Sequence, residues 1–160
     1  MKKSFALIAA AAALTAGAHA QSSENFVVQG EVPLVCQANN NSVAAVEIVD
    51  LTITTDQTLG SFTYVCNNPG GFTRTFSSTN AGTMTGSGSG SIAYNFGSGG
   101  GSGLGESQTS LSSPLVTNLS GSGAFANGQT GSVRFNLPAV PTGLFAGTYN
   151  DTVTLEIAVN

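Results

Sequence analysis

From Tyr149 to Val159 apolar and polar residues alternate with a period of two, and this pattern commits the end of the chain to sheet structure. Tyr149, Asp151, Val153, Leu155, Ile157 and Val159 fall on one side; Asn150, Thr152, Thr154, Glu156 and Ala158 fall on the other. Successive side chains of a strand point to opposite faces, so the segment buries one face and solvates the other. The sequence therefore predicts a strand that runs to the last residues rather than a tail. Asp151 interrupts the apolar side directly after Gly147-Thr148-Tyr149. A carboxylate there is expected to accept backbone or hydroxyl hydrogen bonds at a turn.

The rest of the chain reads as short β-type runs separated by turn residues. Phe26, Val28, Gly30 and Val32 share one face of a first run, which Pro33 interrupts before Leu34-Val35-Cys36 resumes it. Val43 to Thr55 is dense in Val, Ile, Leu and Thr, and its change of phase predicts a strand with a bulge near Asp50. Phe62, Tyr64 and Cys66 share a face, Asn67-Asn68-Pro69-Gly70-Gly71 is a turn, and Phe72, Arg74 and Phe76 then alternate with Thr73, Thr75 and Ser77. Gly and Ser dominate Gly82 to Gly105, which reads as long surface loops around one strand, Ile92 to Phe96. Val133, Phe135 and Leu137 alternate before Pro138 and Pro141. Strand spacing of this kind without helical periodicity predicts an all-β chain, a β-sandwich.

The N-terminus has a different character. Lys2 and Lys3 precede an apolar run from Phe5 to Leu14, and Ala18-His19-Ala20 forms a small-residue cleavage site before Gln21. This is the pattern of a secretory signal peptide over residues 1–20, too short in its apolar part to span a bilayer. Its removal takes away both lysines and the only histidine, leaving Arg74 and Arg134 against 8 acids. Two arginines cannot build a basic face for nucleic acid or for an anionic membrane. Without a histidine or lysine base, Ser/His/Asp, Cys/His and lysine chemistry are closed to the exported chain. Glu47, Asp50, Asp56 and Glu106 read as solvated acids, no ligand spacing for a metal is present, and no cofactor is expected. The expectation is a protein that is not an enzyme.

Cys36 and Cys66 are the only cysteines. In an oxidising compartment they predict one structural disulfide, worth roughly 3–4 kcal/mol for a loop of this length.

The segment Ala146-Gly147-Thr148-Tyr149-Asn150-Asp151-Thr152-Val153-Thr154-Leu155 resembles the ending of spore coat U domains, the pilin-type subunits of the archaic chaperone–usher pathway. The spacing Phe26-x-Val28-x-x-x-Val32-x-x-x-Cys36, the Gly-containing turn after Cys66, and Phe135-Asn136-Leu137-Pro138 fit the same family. The resemblance implies an immunoglobulin-like sandwich lacking its last strand and completed by donor-strand addition. It implies a donor extension over residues 21–32 carrying Phe26, Val28, Gly30 and Val32, ahead of a pilin-like domain over residues 33–160. Val153, Leu155, Ile157 and Val159 are then the acceptor groove or chaperone-pairing edge, and Gly147, Tyr149 and Asp151 its structural turn. Identical or related pilin subunits, a periplasmic chaperone and an outer-membrane usher are the implied partners, with the chain carried through the periplasm to a cell-surface fibre that supports adhesion or biofilm formation. The alternative is a self-contained secreted binding module, for example for carbohydrate. It needs exposed aromatics, whereas Tyr64, Tyr94 and Tyr149 fall in core-facing phase.

Overall fold

The computed structural model describes residues 24–42, 47–86 and 90–160. The chain divides into two compact units, Met1–Val32 and Pro33–Asn160. In the first unit, residues 24–32 form no strand, and Phe26, Val28 and Val32 are 90%, 95% and 81% exposed. The run of alternating apolar residues there is thus not a paired strand. Its resumption at Leu34 is also absent: the first strand begins at Cys36.

Among the described residues the second unit contains eleven strands and one short helix. In chain order these are β1 (Cys36–Asn40), β2 (Gln57–Cys66), β3 (Phe72–Ser78), β4 (Thr83–Gly86), β5 (Ser91–Ala93), β6 (Asn95–Gly100), β7 (Glu106–Ser110), β8 (Leu115–Leu119), α1 (Gly123–Ala126), β9 (Gln129–Asn136), β10 (Tyr149–Asn150) and β11 (Val153–Val159). A five-stranded sheet has the order β1-β2-β9-β6-β7, and three-stranded sheets have the orders β11-β3-β8 and β10-β4-β5. All pairings are antiparallel. No closed barrel forms among the described residues.

Alternation places the core. Phe72 and Phe76 of β3, Tyr64 and Cys66 of β2, and Val133 and Phe135 of β9 are all buried. One cluster gathers Phe76, Met84, Ile92, Tyr94, Phe96, Leu111 and their neighbours from both the five-stranded and the three-stranded sheets. A second gathers Tyr64, Cys66, Phe72, Leu104, Leu119 and Phe125. The sheets thus share their interior in a sandwich-like arrangement, and each fully buried large apolar side chain contributes roughly 1.5–3 kcal/mol.

Three sequence expectations are corrected. The strand expected over Val43 to Thr55 is not found: residues 43–46 lie outside the described residues, residues 47–56 are a loop, and the register shift lies in β2 between Thr58 and Gly60 instead. The Asp50 main chain is held by the Gln57 side chain rather than by a ladder, with Asp50 N–H donating to Gln57 Oε1 at 2.7 Å and Gln57 Nε2 to the Asp50 carbonyl at 2.8 Å. The Gly/Ser-rich stretch is not mainly surface loop, since it supplies β4, β5 and β6, and β6 lies inside the five-stranded sheet. Glycine is needed there for close approach: a Cβ on Gly97 would stand 2.9 Å from the Glu106 carbonyl oxygen, and one on Gly131 3.0 Å from that of Gly99. Finally, α1 is a helical turn that sequence periodicity did not reveal, started by Ser122, whose Oγ accepts from the Phe125 N–H.

Candidate functional site

The last strand is an edge. β11 pairs with β3 on one side, in the register Val153↔Ser78 through Val159↔Phe72, and no described strand pairs with its other side. Thr79 N–H donates to the Thr152 carbonyl and Asn160 N–H to the Gly71 carbonyl, both in the same register. Residues of an antiparallel ladder alternate between bonding one neighbour and the other. Thr152, Thr154, Glu156, Ala158 and Asn160 therefore direct their main-chain groups to β3. Val153, Leu155, Ile157 and Val159 direct theirs to the open side.

The same reasoning applies to β1, the edge of the five-stranded sheet. Asn41 N–H donates to the Ser61 carbonyl and Asn67 N–H to the Val35 carbonyl, which fixes the odd residues on β2 and leaves Cys36, Ala38 and Asn40 facing outward. β1 runs close to β11 without a ladder between them. At one end Cys36 and Ala38 pack with Leu155 and Ile157 against the second core cluster. Residues of both strands also line an apolar cleft of about 570 Å³. Its lining includes Asn40 and Ser42, Val153 and Leu155, and the aromatic side chains Phe62, Phe76 and Phe135.

The disulfide Cys36–Cys66 joins the first register pair of β1 and β2, so it fastens one strand lining this cleft to the core sheet. The segment before it is fastened as well, since Val35 N–H donates to Asn67 Oδ1 and Asn67 Nδ2 to the Pro33 carbonyl.

A polar cluster closes the β10 end of the cleft. Asp151 Oδ2 accepts from Ser78 Oγ at 2.5 Å and from the Tyr94 hydroxyl at 2.7 Å. Oδ1 accepts from the N–H groups of Asn80 at 3.0 Å and Thr152 at 2.7 Å. This one carboxylate ties the end of β3 and the turn after it, the β5–β6 junction at Tyr94, and the junction of β10 with β11. Burial, reinforced by the bond to Asp151, pushes the Tyr94 phenol far above the usual tyrosine range. Nearby, Tyr149 lies across Gly86, where a Cβ would meet its ring at 2.7 Å, and donates its hydroxyl to the Phe145 carbonyl at 3.0 Å. Gly147 lies in the loop before β10, outside any strand.

Sequence reasoning missed Arg74. It shares its face with Phe72 and Phe76 and is completely buried. Its guanidinium lies 5.1 Å from the Phe76 ring centroid and 5.8 Å from that of Tyr64. Nη1 donates to the Leu104 carbonyl at 3.2 Å, and Nη2 lies 3.5 Å from Glu106 Oε1. Glu106 is thus no simple solvated acid: it also accepts from Thr117 Oγ1 at 2.7 Å. Alternation put Arg74 in phase with phenylalanines, which was the available signal. Asp56 is exposed and held below the usual carboxylate range by a hydrogen bond from Asn136, with Arg134 close by at 3.6 Å.

The arrangement presents, among the described residues, two strand edges, β1 and β11, with unpaired outward main-chain groups, and an apolar cleft lined by residues of both. Among the described residues no helix is long and apolar enough to cross a membrane, and no group of metal-binding side chains occurs. In comparison with known proteins, no family model matches the chain and no curated protein sequence matches it.

Proposed function

We propose that the chain is a structural subunit of a cell-surface fibre, assembled through the chaperone–usher pathway. In this reading residues 1–20 direct export and are removed. Residues 33–160 fold as an immunoglobulin-like sandwich short of one strand. Residues 21–32 of the next identical or related subunit then supply that strand. A periplasmic chaperone covers the gap beforehand, and an outer-membrane usher receives the subunit. Adhesion or biofilm formation follows from the fibre.

One observation carries the reading: β11 leaves its outward main-chain groups unpaired among the described residues, and its Val153 and Leu155 line an apolar cleft. An edge of this kind associates with other chains unless something covers it. The donor side is supported by Phe26, Val28 and Val32, whose exposure leaves their apolar surface unused within the chain. A strand seating Phe26, Val28 and Val32 buries three large side chains, which amounts to about 5 kcal/mol.

The test appends residues 21–32 to the C-terminus through a flexible linker. The unmodified chain is expected to self-associate, and the extended chain to be monomeric and more stable by about 5 kcal/mol in urea unfolding. A stable monomer without the extension, unchanged by adding it, would sink the proposal.

A further inference from the structure

Part of the cleft is formed by a loop rather than by a strand. Val49 and Leu51, from the loop between β1 and β2, are partly buried against the first core cluster and line the cleft together with Val153 and Leu155. Between them in sequence stands Asp50, whose main chain is clamped on both sides by the Gln57 amide. Upstream, Ser42 and Glu47 close over Gly60 of β2, where a Cβ would strike the Ser42 hydroxyl and lie 3.6 Å from Glu47 Oε1. Gly60 thus makes room for the loop at the register shift of β2.

The hold on this loop is slight. Among the described residues, no backbone–backbone hydrogen bond ties residues 47–56 to the sheets. Ile48, flanked by the cleft-lining residues, is 93% exposed. The segment is rich in residues that favour strands, yet it lies outside every ladder. Apolar side chains pushed into a cleft without a main-chain ladder form a contact that a strand with both can displace.

We infer that residues 47–51 are a placeholder: an intramolecular plug that occupies the acceptor cleft in the free subunit, latched by Gln57, and leaves when a strand enters. This rests on the proposed strand acceptance and adds its control. The plug covers apolar surface before assembly and sets the rate at which an incoming strand gains entry. Gln57 is a positioning residue, acting on the cleft only through Asp50.

The test measures entry of a fluorescein-labelled peptide of residues 21–32, by fluorescence anisotropy, into the purified chain diluted until light scattering reports a monomer. Gln57→Ala removes both clamping bonds and no core side chain. Two ordinary hydrogen bonds correspond to about a tenfold change, so uptake is expected to be about tenfold faster. Val49→Ser with Leu51→Ser removes the plug's apolar contacts and is expected to accelerate uptake further. Should that double variant fail to fold, as judged by near-ultraviolet circular dichroism, Gln57→Ala decides alone. Uptake by the unaltered chain at the same rate as by folded variants would overturn the plug while leaving strand acceptance standing. Uptake by none of them would overturn strand acceptance and the plug together.

Discussion

At Tyr94, burial and a neighbouring carboxylate act in the same direction. The side chain is 3% exposed and its hydroxyl donates to Asp151, so the folded chain resists forming a phenolate. Burial also raises the Tyr64 phenol, though Arg74 opposes that effect. Above pH about 10 the unfolded chain loses tyrosine protons that the folded chain retains. Stability is therefore fully present below that pH and falls as pH rises above it, by at most about 1.4 kcal/mol per unit for each such group. Tyr94→Phe is expected to flatten this alkaline limb. At neutral pH it is expected to cost about 1–3 kcal/mol, because Asp151 loses a donor. Urea unfolding from pH 7 to 11 checks both; identical alkaline slopes for the two proteins would contradict the account. The expectation that Asp151 accepts bonds at a turn came from its position on an apolar face. That Tyr94 supplies one of them was hidden, because the two lie far apart in sequence. Arg74 illustrates the same boundary. Its phase was readable, but Leu104, Glu106 and Thr117, which make its burial tolerable, arrive from other strands.

Strand β11 was the most legible element because its alternation is strict and one face must be buried. Sequence could not tell which side of it would stay unpaired, since that depends on where β3 lies. The ladder now specifies a pattern of main-chain exposure. Amide protons of Thr154, Glu156 and Ala158, bonded to β3, are expected to exchange slowly with solvent. Those of Leu155 and Ile157, directed outward, are expected to exchange about tenfold faster or more. Native-state hydrogen exchange followed by NMR reads this residue by residue, and uniform protection along β11 would show that its outer side is already paired. The loop after β1 went the other way. Its composition favours a strand, yet the side-chain clamp at Gln57 and the packing of Val49 and Leu51 hold residues 47–56 as coil. Local preference loses here to tertiary contacts. The glycines of β6 misled for a related reason: they mark close approach of neighbouring strands, which looks like flexibility in the sequence alone.

For the folded unit as a whole, Cys36–Cys66 is the one covalent link between strands, and its 30-residue span encloses the loop that carries the plug. Closing a loop of that size removes freedom chiefly from the unfolded chain. Replacing both cysteines by serine is expected to lower stability by roughly 3 kcal/mol in urea unfolding. Equal midpoints for the two proteins would show that β1 is held without the link. The sandwich-like arrangement was legible from strand spacing and turn residues. The division into one five-stranded and two three-stranded sheets was not, because pairing partners are chosen by long-range register.

The placement of the two arginines beyond Val32 has a consequence for resistance to proteolysis. Trypsin-like proteases cut after lysine or arginine, and Arg74 and Arg134 are the only such residues in the second unit. Each lies in a strand paired on both sides, β3 between β11 and β8, and β9 between β2 and β6. A protease must draw its substrate into its own cleft as an unpaired length of backbone, so digestion at either site waits on the opening of a sheet centre. The folded unit is in this way a poor meal for the commonest digestive specificity, a durability written by where its few cations sit.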